Sequence, residues 1–194
     1  VLFVSHNLAA VKSLCTRGVL IEKGRIVFSG SADETVEHYM KINAQNLKPN
    51  IEFLSSEKAI GNEFIKLKSV KVVPENPFIT DDISIEIKFW NFSEGKEIKL
   101  AINFLDLNEA IVFGSGFDFK TGENNVCKAS CIIPADLLND GVYSLNMYFN
   151  STELRTLCHL PNVINFEVAD KRRNSAYFGK IKGAVRPKLN WIEN

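Results

Sequence analysis

Two different periods govern the apolar positions of this chain, and the change between them falls near residue 50. Before it, Leu8, Val11 and Cys15 recur at helical spacing, and Gly18 supplies a stop signal. The stretch VLIEKGRIVFSG holds two short apolar runs around Lys23-Gly24, the outline of a hairpin. Ser31-Ala32-Asp33-Glu34 has the form of a capping box, in which each end side chain satisfies a backbone donor of the first turn, so a helix is predicted from there to about Ala44. The opening Val1-Leu2-Phe3-Val4 reads as a short buried strand that ends at Ser5-His6. Residues 46–62 show little periodicity and read as a linker.

After the linker the period becomes two. Ile83, Ile85, Ile87 and Phe89 alternate with Ser84, Glu86, Lys88 and Trp90; Ile98, Leu100, Ile102 and Phe104 alternate with Lys99, Ala101 and Asn103. Tyr143, Leu145, Met147 and Phe149 alternate in the same way with Ser144, Asn146, Tyr148 and Asn150. Further strands are predicted over 64–73, 111–117, 126–133, 163–168 and 188–192, with turn chemistry at 74–77, 93–95, 121–125 and 139–141 and a helical turn at 135–138. Eight short strands punctuated in this way make the fold class mainly β, an antiparallel β-sandwich of immunoglobulin-like or jelly-roll-like type. Pro187 cannot donate to a ladder, so 185–192 is predicted to be an edge strand, able to pair with its own sheet or with a neighbour's.

Composition narrows the function classes. Twenty-three basic residues balance twenty-three acidic ones, so no global field calls for nucleic acid. The one local asymmetry is basic: Lys171, Arg172, Arg173, Lys180, Lys182, Arg186 and Lys188 face only Glu193. No stretch approaches the ~18–20 apolar residues of a membrane span, and the opening lacks the charged start of a signal peptide, so the expected location is cytoplasmic. Cys15, Cys127, Cys131 and Cys158 form no CxxC pair, His6, His38 and His159 are scattered, and no metal site is expected. GSGFDFKTG resembles a phosphate loop only superficially, because Phe119 stands where glycine must precede the lysine.

Ser5-His6 gains meaning from its company. A branched apolar strand ending in Ser-His, a helix, the EKGR hairpin and a capped helix resemble the C-terminal end of an ABC-type ATP-binding domain. The resemblance implies that residues 1–45 are a short α/β remnant of such a domain, 46–62 a linker and 63–194 the sandwich, and that His6 is the switch histidine that touches the γ-phosphate in the intact ATPase. The motifs that bind ATP and Mg lie upstream in that family, so this chain by itself is expected to be no enzyme and to hold no cofactor. With GNEFIKLKSVKV, IPADLLNDGVYSLNMYF and GAVRPKLNWIEN, the combination resembles the ATP-binding subunits of O-antigen polysaccharide exporters, the Wzt family. That implies a carbohydrate-binding domain that recognises the modified non-reducing terminus of the polysaccharide, a homodimer with an exchanged terminal strand, a membrane-spanning permease subunit as partner, and a place at the cytoplasmic face of the bacterial inner membrane.

Sugar sites combine an aromatic face with amides, hydroxyls and charged groups. The outward positions of the alternating strands supply Trp90, Tyr148, Asn146, Asn103, Lys88 and Ser130 as candidates, with Lys99 as a further cation. Two other classes stay open: a pure assembly module, in which the outer aromatics are dimer contacts, and a glycan-processing enzyme, which needs paired carboxylates that this outward set does not offer.

Overall fold

The computed structural model describes residues 1–5, 8–45, 47–93, 97–119, 125–153, 155–170 and 183–193. His6, the basic run over 171–182, Gly95 and residues 121–124 lie outside the described residues.

The first part is a small helix–hairpin–helix unit: α1 (Leu8–Leu14), β1 (Arg17–Glu22), β2 (Arg25–Ser31) and α2 (Ala32–Gln45). Lys23 and Gly24 both take positive φ, as a tight two-residue hairpin turn requires. The capping box forms as read: Ser31 N and Oγ donate to Glu34 Oε2 at 2.9 and 2.7 Å, and Glu34 N donates back to Ser31 Oγ. Leu8, Ala32 and Val36 are buried, whereas Val19, Ile21, Ile26 and Val27 of the hairpin are exposed. The strand expected over 1–4 does not form; no partner ladder adjoins it among the described residues, and Val1, Leu2 and Val4 stand in solvent.

The second part is the sandwich. A back sheet runs in the order β3 (Asn50–Glu52), β4 (Ile65–Val73), β5 (Ile83–Asn91), β8 (Val126–Ile133). A front sheet runs β10 (Thr156–Val168), β9 (Gly141–Ser151), β6 (Ile98–Leu105), β7 (Ile111–Phe119). All ladders within the two sheets are antiparallel. The inward pleat positions meet in the core: Ile83, Ile85, Ile87 and Phe89 are buried with Ile98, Leu100, Ile102 and Phe104 and with Leu145, Met147 and Phe149. Phe89 crosses between the sheets, edge-on to Phe119 and Phe149 at 4.9 and 4.8 Å. Each such side chain contributes about 1.5–3 kcal/mol by leaving water.

Three expectations change. The stretch read as a linker is not a free tether over its described residues 47–62: Asn50–Glu52 pairs with β4, Phe53 N donates to Lys68 O at 2.8 Å, and Lys48 pairs with Asn165. A three-residue strand is too short to show a period. The strand predicted over 163–168 begins at Thr156, because β10 is an edge strand that absorbs Pro161 in a register shift between Leu160 and Ile164. The terminal edge strand is reduced to one bridge, Leu138 with Val185; from Pro187 to Glu193 no strand forms, and Leu189, Trp191 and Ile192 are exposed.

Candidate functional site

Period two decides which residues point outward, but the sheet order decides which of them meet. β5 and β8 belong to the back sheet, so Trp90, Lys88 and Ser130 share its outer face. β6 and β9 belong to the front sheet, so Asn103, Asn146 and Tyr148 share the other. The six candidates therefore divide three and three across the thickness of the sandwich.

On the front face two cross-strand rows adjoin. In one, His159, Tyr148, Ala101 and Gly116 lie side by side on β10, β9, β6 and β7. The Tyr148 and His159 rings stack at 4.3 Å with an interplanar angle of 5°. His159 covers one face of the tyrosine; the other looks over Ala101 and Gly116, whose small size leaves it open. In the next row Asn146 stands opposite Asn103, and Asn103 opposite Gly114. Asn146 Oδ1 accepts from Asn162 N at 2.8 Å, in the register shift of β10, which orients its amide and leaves Nδ2 as a donor. Asn103 lies over Gly114: a Cβ built there would sit 2.7 Å from Asn103 Oδ1. Glycine at 114 is what allows that amide to lie down on the sheet. Farther along, Lys99 and Asp118 pair at 3.7 Å, and Thr156 donates to Asn150. A depression of about 250 Å³ beside His159 is lined by Gly61, Asn62 and Thr156 with the neighbouring β10 residues.

The result is a shallow neutral surface with one available aromatic face, two amides and no uncompensated charge at its centre. Among the described residues it offers no paired carboxylates for acid–base work on a glycoside. His159 reads in the sequence only as a scattered histidine because Pro161 hides its strand, and the role of Gly114 and Gly116 appears only once β7 is placed beside β6.

The back face differs. Lys68 Nζ stands 5.0 Å from the centroid of the Trp90 ring, a cation–π contact that covers the indole. Lys88 faces Lys128 across the β5–β8 ladder, and Glu86 faces Ser130. Glu52 is held below the usual carboxylate range, first by the hydrogen bond and charge of Lys71 at 3.0 Å, with Lys88 and Lys68 adding.

The cysteines are packing residues: burial pushes the thiols of Cys127, Cys131 and Cys158 up, which keeps them in the unreactive form. Tyr143 is the strongest titration shift. Burial, with Asp140 and Asp106 adding, moves its hydroxyl from 10.0 to about 12 against the opposing hydrogen bond to Asn139. That hydroxyl lies 2.9 Å from Asn139 O and 2.7 Å from Ala184 O, and so ties residues 183–186 to β9.

No family model and no curated protein matches the sequence. Among solved structures, the chain is similar to the crystal structure of the C-terminal domain of Wzt, with a TM-score of 0.54 and 13% identity over 71% of this chain and 89% of that one. The mainly β architecture seen here is thus the fold of the Wzt C-terminal domain.

Proposed function

We propose that this chain is a non-catalytic carbohydrate-binding domain of an O-antigen polysaccharide exporter's ATP-binding subunit, and that its glycan lies on the front face. The observation that carries the reading is the pair of rows at Tyr148–His159 and Asn146–Asn103, opened by Gly114 and Gly116. A sugar ring presents an apolar C–H face to an aromatic ring and its hydroxyls to amides; this surface supplies both within adjacent strands. Of the six residues named from sequence, Tyr148, Asn146 and Asn103 contact the glycan in this reading, joined by His159, while Trp90, Lys88 and Ser130 do not. The fold shared with the Wzt domain supports the setting. In that setting residues 1–45 are the end of the ATPase domain, His6 is its switch histidine, ATP and Mg belong to the parent protein, and a permease at the cytoplasmic face of the inner membrane is its partner.

Calorimetry with the finished O-polysaccharide of the host, beside the same polymer trimmed at its non-reducing end, tests the reading. Saturable binding to the intact polymer alone, weakened by Tyr148→Ala, is expected. Binding to neither polymer sinks it and leaves the assembly role.

The chain is also proposed to form a homodimer. β7 and β8 are each one edge of their sheets, and between them Ile87, Leu100, Ile102, Phe117 and Ala129 border an apolar cleft of about 210 Å³. Phe117 is 56% exposed, and Leu189, Trp191 and Ile192 are exposed too. A terminal segment received from a second copy would cover both. Light scattering of the chain, with and without residues 187–194, checks this: the expected loss of the dimer on truncation distinguishes exchange from another interface.

A further inference from the structure

Three lysines converge on the back face where the ladder would disfavour them. β4 carries an extra residue between Leu67 and Ser69, and this bulge turns Lys68 outward over Trp90. Lys88 of β5 stands directly opposite Lys128 of β8. With Asn125 and Val126 these lysines line a basin of about 680 Å³. Like charges directly across a ladder oppose its pairing, and none of the three ammonium groups has an ion pair among the described residues. Among the described residues the carboxylates nearest the basin are Glu52, which pairs with Lys71 at 3.0 Å while its charge also reaches Lys88 and Lys68, and Glu86, one row along, facing Lys71 and Ser130. Lysine on an edge strand guards against aggregation, which accounts for Lys128 alone. Lys68 and Lys88 belong to the interior strands β4 and β5.

We propose that this basin is a binding site for a phosphate-class oxyanion, with Lys88 and Lys128 as its direct charge partners and Asn125 as a neutral donor. Lys68 leaves the Trp90 ring to complete the shell. Ammonium groups suit this work as compact donors of several hydrogen bonds. The site is independent of the glycan reading, because it lies on the opposite sheet.

The test uses the whole chain with Trp191→Phe, which makes Trp90 the sole tryptophan. Inorganic phosphate and glycerol phosphate are titrated at low salt while Trp90 fluorescence is read; a parallel arm measures sedimentation with phosphatidylcholine vesicles with and without phosphatidic acid. A saturable change with the soluble phosphates assigns a free ester; co-sedimentation restricted to phosphatidic acid vesicles, with no response to the soluble phosphates, assigns a lipid headgroup. Either supports the site if Lys88→Gln and Lys128→Gln each weaken binding about tenfold and Tyr148→Ala does not. The thermal midpoint of ligand-free Lys128→Gln should hold or rise, since a like-charge pair is removed. No response in either arm, or a response indifferent to both lysine variants, overturns the proposal.

Discussion

The two outer faces of the sandwich rest on one core yet carry opposite chemistry. The front face is low in charge: a Tyr148–His159 stack, the amides of Asn103 and Asn146, the mutually compensated Lys99 and Asp118, and Glu167 at one end opposite Val142. On the back face Lys66, Lys68, Lys71, Lys88 and Lys128 outnumber Glu52 and Glu86. A formal net charge of zero for the chain conceals this polarity. Inward pleat positions are bound by packing density, so they hold the fold; outward ones are released from that constraint, and here the two sheets carry different sets.

The largest way to break the comparison is to remove what both faces share. Phe89→Ala deletes the ring that meets Phe119 and Phe149 across the interface, and should cost about 3–5 kcal/mol in urea unfolding. Both faces should then lose function together. Tyr148→Ala should weaken glycan binding by about tenfold, while Trp90→Ala leaves it unchanged in the same calorimetric assay; the reverse outcome would move the glycan to the back sheet. Tyr143→Phe severs the tie to Ala184 and should cost about 1 kcal/mol. Because the folded state favours the neutral phenol, stability should stay level up to the ordinary tyrosine value of 10.0 and fall as pH rises toward about 12. That decline, followed by alkaline denaturation monitored through circular dichroism, should flatten in Tyr143→Phe. The smallest change sharpens the front face alone: Gly114→Ala displaces Asn103 Oδ1, and should shift stability by no more than about 0.5 kcal/mol while weakening glycan binding about threefold.

Strands with both an apolar and a polar side were legible at once. β5, β6 and β9 appear where the alternation places them, and the capped helix begins at its Ser-x-x-Glu signal. Legibility failed where side-chain period is not what holds a segment. β3 is only Asn50–Glu52, fixed by its neighbour's backbone, and β10 continues through Pro161 because an edge strand tolerates a missing donor. The site was half visible for a related reason. Alternation names Trp90 and Tyr148 as outward, but whether they share a face depends on long-range strand order, which leaves no local trace in either strand. His159 and Gly114 matter only through the cross-strand neighbours that order gives them.

The attachment of residues 183–186 sets a leash length for whatever follows. Arg186 N bonds Leu137 O at 2.7 Å, its guanidinium meets Asp170 at 2.9 Å, and Tyr143 grips Ala184, so the chain leaves the sandwich from a fixed post. From there Pro187 to Glu193 is seven residues, a radius of about 25 Å when fully stretched. Trp191 lies five residues out, so its backbone reaches only about 18 Å, which makes the terminal segment a ruler for how closely a second body has to approach.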